Sequence, residues 1–378
     1  MRQTVPRVMQ FFCAPRMINP HNMPPAGPCF IYANHSNNFD PFVINQQMVQ
    51  EPTAGVMTRY QFYKTLPRIF MDSIGIVPTS KYVPEPEVIR SVLQMIDRRR
   101  MIIIFPEGGR RWDGRPKSMI EATLKLFWKM RIPVHPVQIH GSYVSWPRWA
   151  DRPRRNSQEL HWLSPLLPSD FPDYESFAEQ CRQQVHFDEN DPPESTLPKS
   201  AFKPALGIQR ILYRCPYSGV SGSVYTPDGW SVYSRTSGAF SFRMDKNSRL
   251  IDKNGIPHSV SDFYDRIQTF SVEQEPRTAT ILNTRCSIYR IDRDNRIISL
   301  GYGQMSLTDE VVLIRNGSDR FVLALDQIQY ISVEKNNKIA LIAEQNMFMM
   351  DLGDQSALQW QQYINRLKKG EPTVRPFS

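Results

Sequence analysis

The sequence predicts an α/β fold with a mainly parallel sheet in its first 167 residues and a separate, β-rich region near its end. Two observations support this prediction. In the first part, apolar runs alternate with segments of helical period, which is typical of strand–helix–strand units. In the last part, short strand-like runs recur between turn sequences. A chain of 378 residues is long enough for two or three domains.

The first part contains three predicted strands, at Cys29–Ala33, 101–105 and 134–139. The run 101–105 is apolar throughout, which indicates a parallel strand covered on both faces. Four predicted helices lie near residues 42–50, 59–73, 86–99 and 118–130. We therefore expect an α/β domain over residues 1–167.

Residues 168–205 differ in composition. Acidic side chains crowd between positions 170 and 194, and three prolines follow between 192 and 198. We predict a short helix near 174–186 and then an extended linker. Because the stretch is acidic, we also expect it to lie against the basic first part and to compete there with anionic ligands.

Residues 206–265 are predicted to form a small β-hairpin module. The turns 215–219 and 234–238 flank a hairpin pattern, as the two knuckles of a zinc ribbon do. The four ligand positions hold one cysteine and three serines, namely Cys215, Ser218, Ser234 and Ser237. Serine hydroxyls do not replace thiolates on structural zinc, so the expectation is a metal-free, ribbon-like module. A coincidence of turn residues is the alternative.

Residues 276–369 read as a separate β domain that a helix closes. Strands are predicted at 279–282, 287–291, 311–315, 321–325, 328–333, 339–343 and 348–351. An amphipathic helix follows at 356–368. Strands followed by one closing helix resemble a pleckstrin-homology-like (PH-like) barrel, for which we favour a packing or partner role.

A possible acid–base pair follows the first predicted strand. His35 comes directly after this strand and its terminal Asn34, and Asp40 lies five positions further on. A histidine can take a proton near neutral pH, and a carboxylate on its other nitrogen orients it. No Ser or Cys stands in an elbow motif nearby, so the attacking hydroxyl would belong to the substrate. The alternative is a histidine that merely satisfies backbone groups at a strand end.

A possible anion-binding loop follows the strand predicted at 101–105. Gly108 and Gly109 allow the backbone to approach an anion closely, and Arg110 and Arg111 can give charge-assisted hydrogen bonds to phosphate. A helix N-terminus after the loop would add to this site. The alternative is a turn with solvated arginines.

These motifs resemble, in order and spacing, those of the glycerophospholipid acyltransferase family (1-acylglycerol-3-phosphate acyltransferase type), in a bacterial form with an extra C-terminal region. The resemblance covers about residues 25–167. Its His–Asp block is complete, Gly109 replaces a threonine in the block Phe105-Pro106-Glu107-Gly108-Gly109-Arg110, and the block at 132–137 is nearly intact. In the block at 75–81, Lys81 stands where the family has arginine.

The resemblance implies a mechanism and a set of site residues. His35 removes the proton from the acceptor hydroxyl, which attacks an acyl thioester, and Asp40 orients His35. The glycerol-phosphate end would be held by Lys81, Glu107, Gly108, Gly109 and Arg110. The donor would be acyl-coenzyme A or acyl carrier protein, with no metal or redox cofactor.

The implied reaction is acylation of a lysophospholipid in phospholipid synthesis or remodelling, foremost of lysophosphatidic acid to phosphatidic acid. One alternative is a catalytically degenerate, membrane-associated scaffold with this fold. Another is thioester hydrolysis, with water as the acceptor.

The net charge of +9 arises in the first part, where residues 1–160 hold 22 Lys and Arg against 11 Asp and Glu. Such a field suits an anionic membrane surface and anionic substrates. The segment 143–162, rich in Trp and Arg, is a candidate membrane interface, with a packed loop that has a solvated basic face as the alternative. The sequence has no recognisable nucleic-acid-binding motif, so nucleic acid is not an expected partner.

The five cysteines are scattered and suggest no disulfide framework. Signal-peptide and membrane-spanning patterns are absent from the sequence. We therefore expect a cytoplasmic protein that associates with the membrane peripherally.

Overall fold

The computed structural model describes residues 11–48, 53–58, 76–79, 86–270, 280–292, 297–317, 319–343 and 346–369. The chain divides into two compact units. The first holds residues 1–148 and 153–202, and the second holds residues 149–152 and 203–378.

The first unit is built on a mixed sheet whose centre is parallel. In the described part of the chain its strands are β1 (Arg16–Ile18), β2 (Cys29–Ala33), β3 (Ala54–Thr58), β4 (Ile76–Thr79), β5 (Met101–Ile104), β6 (Val134–His140) and β7 (Glu159–Trp162). Their order is β1-β7-β6-β2-β5-β3-β4. The strands from β6 to β4 pair in parallel, whereas β7 runs antiparallel to β6. The expectation of a mainly parallel sheet is confirmed.

Helices cover both faces of this sheet. They are α1 (Asp40–Asn45), α2 (Pro86–Asp97), α3 (Glu121–Met130), the single turn α4 (Ser142–Ser145) and α5 (Tyr174–Val185). Phe30 and Tyr32 of β2 pack in one apolar cluster, while Ile31 and Ala33 pack in another. Burial on both sides explains why strand β2 is apolar at successive positions.

The helix predicted near 42–50 begins earlier, at Asp40, and ends at Asn45. Those predicted near 86–99 and 118–130 correspond to α2 and α3. The helix predicted at 59–73 lies outside the described residues.

The segment predicted as an acidic linker belongs to the first unit as far as Phe202. Its helix α5 starts at the N-cap Asp173, whose carboxylate accepts from the backbone N–H of Ser176 at 2.8 Å. One face of α5 buries Phe177 and Cys181 in the cluster that contains Phe30. The short helix predicted near 174–186 is thereby confirmed, and its apolar stripe packs into the core of the first unit.

The second unit contains two antiparallel sheets. The smaller consists of β8 (Val224–Tyr225), β9 (Ser231–Ser234), β10 (Ser241–Met244), β11 (Arg249–Ile251) and β12 (Pro257–Ser259), paired in chain order, and α6 (Val260–Gln268) follows it. The two predicted turns meet there, because Ser218 and Thr236 share a hydrogen bond of 2.7 Å. The pKa of the Cys215 thiol is lowered. Burial alone would raise this pKa, but the hydrogen bonds with Ser218 and Ser234 together have the larger effect.

The larger sheet of the second unit has the order β16-β15-β14-β13-β19-β18-β17. Its strands are β13 (Leu282–Ile291), β14 (Ile297–Leu307), β15 (Val311–Asn316), β16 (Asp319–Ala324), β17 (Ile328–Glu334), β18 (Lys338–Ala343) and β19 (Asn346–Asp351). Helix α7 (Ala357–Lys368) closes it, with the Ser356 hydroxyl accepting from the backbone N–H of Gln359 at 3.1 Å.

Most of the strands predicted in this region are present. Of the run predicted at 279–282, residue 279 lies outside the described residues, and β13 starts only at Leu282. Strand β14 went unpredicted, because Gly301 and Gly303 interrupt its apolar pattern. In the described residues we find no helix with the length and apolarity needed to cross a bilayer.

The segment 143–162, rich in tryptophan and arginine, is a packed region. Trp149 and Trp162 are fully buried, and Arg154 is 2% exposed. The alternative of a packed loop is therefore right for these residues. Interpreting them as a membrane interface was wrong, since composition alone does not say which side chains face the interior.

Candidate active site

His35 lies where the central strand β2 reaches the edge of the sheet. Just before it, the side-chain amide of Asn34 exchanges two hydrogen bonds with the backbone of Ile139 on β6, at 3.0 and 2.7 Å. The buried amide thereby continues the pairing between β2 and β6 for one more residue. His35 then leaves the sheet at the carboxyl end of its middle strand, where parallel sheets commonly carry their sites.

His35 and Asp40 form a close pair. The Nδ1 atom of His35 lies 2.8 Å from Oδ2 of Asp40. The His35 side chain is 19% exposed, whereas that of Asp40 is fully buried. A ligand can therefore reach the imidazole, while the carboxylate that orients it is shielded from water.

The protein holds the Asp40 carboxylate with three further donors. The backbone N–H groups of Ser36 and Asn37 donate to Oδ2 at 2.8 and 3.0 Å. The hydroxyl of Ser142, in α4, donates to Oδ1 at 2.5 Å. The side-chain amide of Asn37 in turn donates to the backbone carbonyl of Ser142 at 2.9 Å. Both carboxylate oxygens are thus fixed before any substrate arrives.

The His35 ring is also fixed from the side and through its main chain. It stacks on Phe105, with ring centroids 4.2 Å apart and an interplanar angle of 23°. The backbone N–H of Arg111 donates to the carbonyl of His35 at 2.8 Å. With its proton on Nδ1 facing Asp40, a neutral His35 accepts a proton at Nε2.

The glycine-containing loop lies beside this pair, because β5 and β2 are neighbouring parallel strands. The backbone N–H of Gly108 bonds to the carbonyl of Phe105 at 3.1 Å, and Gly108 has φ of 67°. Gly108 and Gly109 are half-buried. Lys117, which sequence reasoning missed, donates to the carbonyls of Glu107 and Gly109 at 3.2 Å each. The loop thus has a cation against its backbone.

Glu107 and Arg111 are partners of each other in the interior. Glu107 is 2% exposed and Arg111 is fully buried. The Nε atom of Arg111 donates to both oxygens of Glu107 at 3.0 Å, and Nη2 donates to Oε1 at 2.5 Å. Burial raises the pKa of Glu107 although Arg111 opposes the shift. The expectation that Arg111 binds phosphate, and its alternative of a solvated arginine, were both wrong, since this guanidinium is committed to a buried carboxylate.

A second carboxylate joins this pair from the acidic segment. Glu189 is 1% exposed and accepts a short hydrogen bond from the hydroxyl of Ser36. Its Oε1 accepts from the backbone N–H of Tyr143 at 3.3 Å, and its Oε2 lies 3.4 Å from Nη1 of Arg111. Burial raises the pKa of Glu189 to about 7, against the lowering effects of Arg111 and Ser36.

Sequence reasoning missed Glu189, Ser142 and Lys117 as site residues. The expectation that acidic residues of 168–205 lie against the basic part pointed towards Glu189, but nothing in the sequence distinguished it from its acidic neighbours. Of the predicted binding residues, Arg110 is 9% exposed, and its carbonyl accepts from Nη1 of Arg148 at 3.0 Å. Lys81 lies outside the described residues.

No group of three or more His, Cys, Asp or Glu side chains able to hold a metal ion occurs among the residues that the structure describes.

Comparison with known proteins gives one family and several distant structural likenesses. Residues 14–140 match the family model described as Acyltransferase. The chain is similar to the 1-acyl-sn-glycerophosphate (LPA) acyltransferase PlsC from Thermotoga maritima, at 20% identity and a TM-score of 0.44 over 49% of this chain and 75% of that one. No curated protein gives a significant match.

The second unit has weaker likenesses. One is to the N-terminal PH domain of human ARAP2, at 9% identity and a TM-score of 0.19 over 25% of this chain and 87% of that one. Another is to Inner Membrane Complex sub-compartment protein 3 from Toxoplasma gondii, at 7% identity and a TM-score of 0.19 over 22% and 73%. Scores of this size do not establish a shared fold, so the assignment rests on the family model. Its match contains His35, Asp40 and the loop 105–110, and the resemblance to the acyltransferase family is thereby confirmed for residues 14–140.

Proposed function

We propose that this protein transfers a fatty acyl group from an acyl thioester to the hydroxyl of a lysophospholipid. The observation that carries the proposal is the pair itself: Nδ1 of a partly exposed His35 lies 2.8 Å from a buried Asp40 carboxylate. Two serine hydroxyls beside the pair, those of Ser36 and Ser142, donate to Glu189 and Asp40. Because both hydroxyls are committed to carboxylates, the attacking hydroxyl is assigned to the substrate.

In the proposed reaction, His35 acts as a general base and Asp40 as its orienting partner. Nε2 of His35 takes the proton of the acceptor hydroxyl while that oxygen attacks the thioester carbonyl. The new C–O bond forms, the C–S bond breaks, and the imidazolium returns the proton to the leaving thiolate. Asp40 stabilises the imidazolium between these two proton transfers.

The phosphate end of the acceptor is assigned to the loop after β5. We propose that Gly108 and Gly109 present backbone to it and that Arg110 and Lys81 supply positive charge. For Glu107 we propose a bracing role through Arg111, because both of its oxygens accept from that guanidinium. Lysophosphatidic acid is the acceptor that this charge pattern favours, and either acyl-coenzyme A or acyl carrier protein could donate.

The division into domains at 1–167, 168–205, 206–265 and 276–369 stays a proposal, together with the ribbon-like and PH-like assignments. The antiparallel hairpins with their joined turns support the first of these assignments. The larger antiparallel sheet with its closing helix α7 supports the second. Cytoplasmic location and peripheral contact with an anionic membrane belong to the same proposal, as does catalysis without a metal or redox cofactor.

The test is release of free thiol from long-chain acyl-coenzyme A, and from acyl carrier protein, with a panel of lysophospholipids. His35→Ala is compared with His186→Ala, an exposed histidine outside the site. We expect acceptor-dependent release that falls at least about 100-fold in His35→Ala only. Free fatty acid formed without an acceptor would indicate hydrolysis. If neither donor releases thiol while the protein still binds vesicles, the scaffold alternative would be favoured.

A further inference from the structure

Glu189 joins three separate segments at one buried point. Its carboxyl contacts the hydroxyl of Ser36 after β2, the guanidinium of Arg111 after β5 and the backbone N–H of Tyr143 in α4. Arg111 in turn donates to the carbonyls of Val185 and Phe187, at 3.2 and 2.9 Å, just before Glu189 in the chain. The end of α5 is therefore tied to both loops of the site.

A contribution to stability does not explain why the Glu189 carboxyl is buried here. One buried guanidinium serves two buried carboxyls, Glu107 and Glu189, and Asp40 also acts on Glu189 as a like charge. Desolvating such a group costs free energy that its ion pair regains only in part. Its geometry offers another role.

Two short paths lead from Glu189 to His35. Along one, Ser36 donates its hydroxyl to Glu189 and its backbone N–H to Asp40, which orients the imidazole. Along the other, Arg111 lies against Glu189 and donates its backbone N–H to the carbonyl of His35. A shift of Glu189 would therefore move both anchors of His35.

We propose that Glu189 is a positioning residue of the acyl-transfer site, which holds His35 against Asp40 through Ser36 and Arg111. This proposal rests on the proposed function for its kinetic consequences, but not for its structural ones. Within the general base mechanism, misplacement of the imidazole lowers the rate of the chemical step more than it weakens substrate binding.

The first test compares Glu189→Gln with Glu194→Gln, the same chemical change at an exposed position of the same segment. We expect Glu189→Gln to lower kcat about tenfold with little change in KM, and Glu194→Gln to leave both unchanged. A Glu189→Gln enzyme with the kcat of the wild type would overturn the proposal.

A double-mutant cycle with Ser36→Ala tests the path. If Glu189 acts through Ser36, the double variant should be little slower than the slower single variant. Losses in kcat that multiply would mean that the two residues act independently, contrary to the proposal.

A spectroscopic readout keeps this proposal separate from the proposed function. In full-length protein labelled with nitrogen-15 histidine, the His35 imidazole signals and their titration should change in Glu189→Gln and stay unchanged in Glu194→Gln. Unchanged His35 signals in Glu189→Gln would refute the positioning role even in an active enzyme. Changed signals in a chain without acyl transfer would support it while the proposed function fails.

A different observation concerns the larger sheet of the second unit. Arg285, Arg315 and Arg320 stand in one row across the strands, with Gln304 between the first two, according to the cross-strand register. Side chains in such a row share one face of the sheet, and the three arginines are exposed. Strands about 4.8 Å apart give the row a span of about 15 Å.

Apolar and aromatic groups accompany the row on the same face. Tyr302 precedes Gln304 by two positions and is 66% exposed, and Val322 follows Arg320 by two and is 51% exposed. The opposite face buries Met305, Ile314 and Leu323. Guanidinium groups match phosphate geometry, and an aromatic ring among them suits the headgroup level of a bilayer.

From this row we infer that the face binds an anionic lipid surface, independently of any acyl transfer. The test is sedimentation of the full chain with phosphatidylcholine vesicles, with and without about one-third phosphatidylglycerol. The variant R285Q/R315Q/R320Q is compared with R243Q/K246Q/K253Q, which removes as many exposed charges from the smaller sheet.

We expect salt-sensitive binding to anionic vesicles that the first variant weakens about 100-fold and the control leaves intact. Equal binding of both variants, or no binding by the wild type, would overturn the inference. Retention of the wild type on nucleic acid, through the same arginines and without vesicle binding, would overturn the lipid assignment.

Discussion

Ser142 and His35 share the Asp40 carboxylate: the serine hydroxyl donates to Oδ1 at 2.5 Å, and Nδ1 of the histidine lies 2.8 Å from Oδ2. The two residues are brought together by β6 and β2, since α4 follows the first strand and His35 the second. The orienting carboxylate is therefore itself oriented by an adjacent strand, and this relationship can be tested first.

Replacing Ser142 by alanine should slow the reaction without unfolding the protein. The change removes the donor to Oδ1 and leaves a buried acceptor unsatisfied, which costs about 1–3 kcal/mol. We expect kcat to fall about tenfold with an unchanged KM. Steady-state kinetics and denaturant unfolding measure the two effects, with Ser145→Ala as the control because Ser145 is equally buried in the same turn. Equal kcat losses in both variants would count against a specific role of Ser142.

Replacing Asp40 by asparagine should have a larger effect. The oxygen that faces Nδ1 also accepts from the backbone N–H groups of Ser36 and Asn37, so the amide oxygen would stay there, but the neutral side chain could no longer stabilise the imidazolium. A loss in kcat on the order of 10³- to 10⁴-fold is expected, as for other His–Asp pairs. Steady-state kinetics measure this loss, and a loss below tenfold would mean that the charge of Asp40 contributes little to the rate.

The two loop glycines should respond differently to alanine. Gly108 has φ of 67°, in the left-handed region, whereas Gly109 has no positive φ. Gly108→Ala is therefore expected to destabilise the fold by about 1 kcal/mol more than Gly109→Ala. Urea unfolding of the two variants measures the difference directly. Equal losses would show that the loop adjusts its backbone at no cost.

The raised pKa of Glu189 predicts that the free energy of unfolding depends on pH. Its pKa is about 7 in the folded protein, above the ordinary value of 4.5, so the folded state holds this proton more tightly than the unfolded state does. Its stabilising contribution is complete below pH 4.5 and is lost as the pH rises through about 7. Glutamine does not titrate, so the stability of Glu189→Gln relative to wild type should rise by about 3 kcal/mol between pH 4.5 and pH 8.

Denaturant unfolding across this pH range measures that gain. Arg111, Glu107 and Asp40 face the same carboxyl and remain in the variant, so part of the pH dependence should persist through Glu107, whose pKa is also raised. Glu194→Gln should follow the wild type at every pH. A constant difference between Glu189→Gln and the wild type would contradict the prediction.

The sequence predicted those parts of the site that depend on local order. Strand β2, His35 and Asp40 lie within a dozen residues, and the loop 105–110 follows an apolar strand directly. Contacts between segments that are remote in the sequence were not predicted. Ser36 and Glu189 lie 153 positions apart, and no local pattern marks a glutamate whose buried partners come from remote segments. Arg111 was misjudged for the same reason, since its burial depends on carbonyls at Val185 and Phe187.

Helix α5 has a practical consequence for anyone who wishes to work with the domain alone. A fragment cut where the family match ends, at residue 140, would lack β7 and the helix whose Phe177 and Cys181 fill one core cluster. A cut at residue 167 would restore β7 but leave out three partners of Arg111, namely the carbonyls of Val185 and Phe187 and the carboxylate of Glu189. The smallest fragment that should fold on its own extends to Phe202. The family match therefore ends about sixty residues before the end of the folding unit.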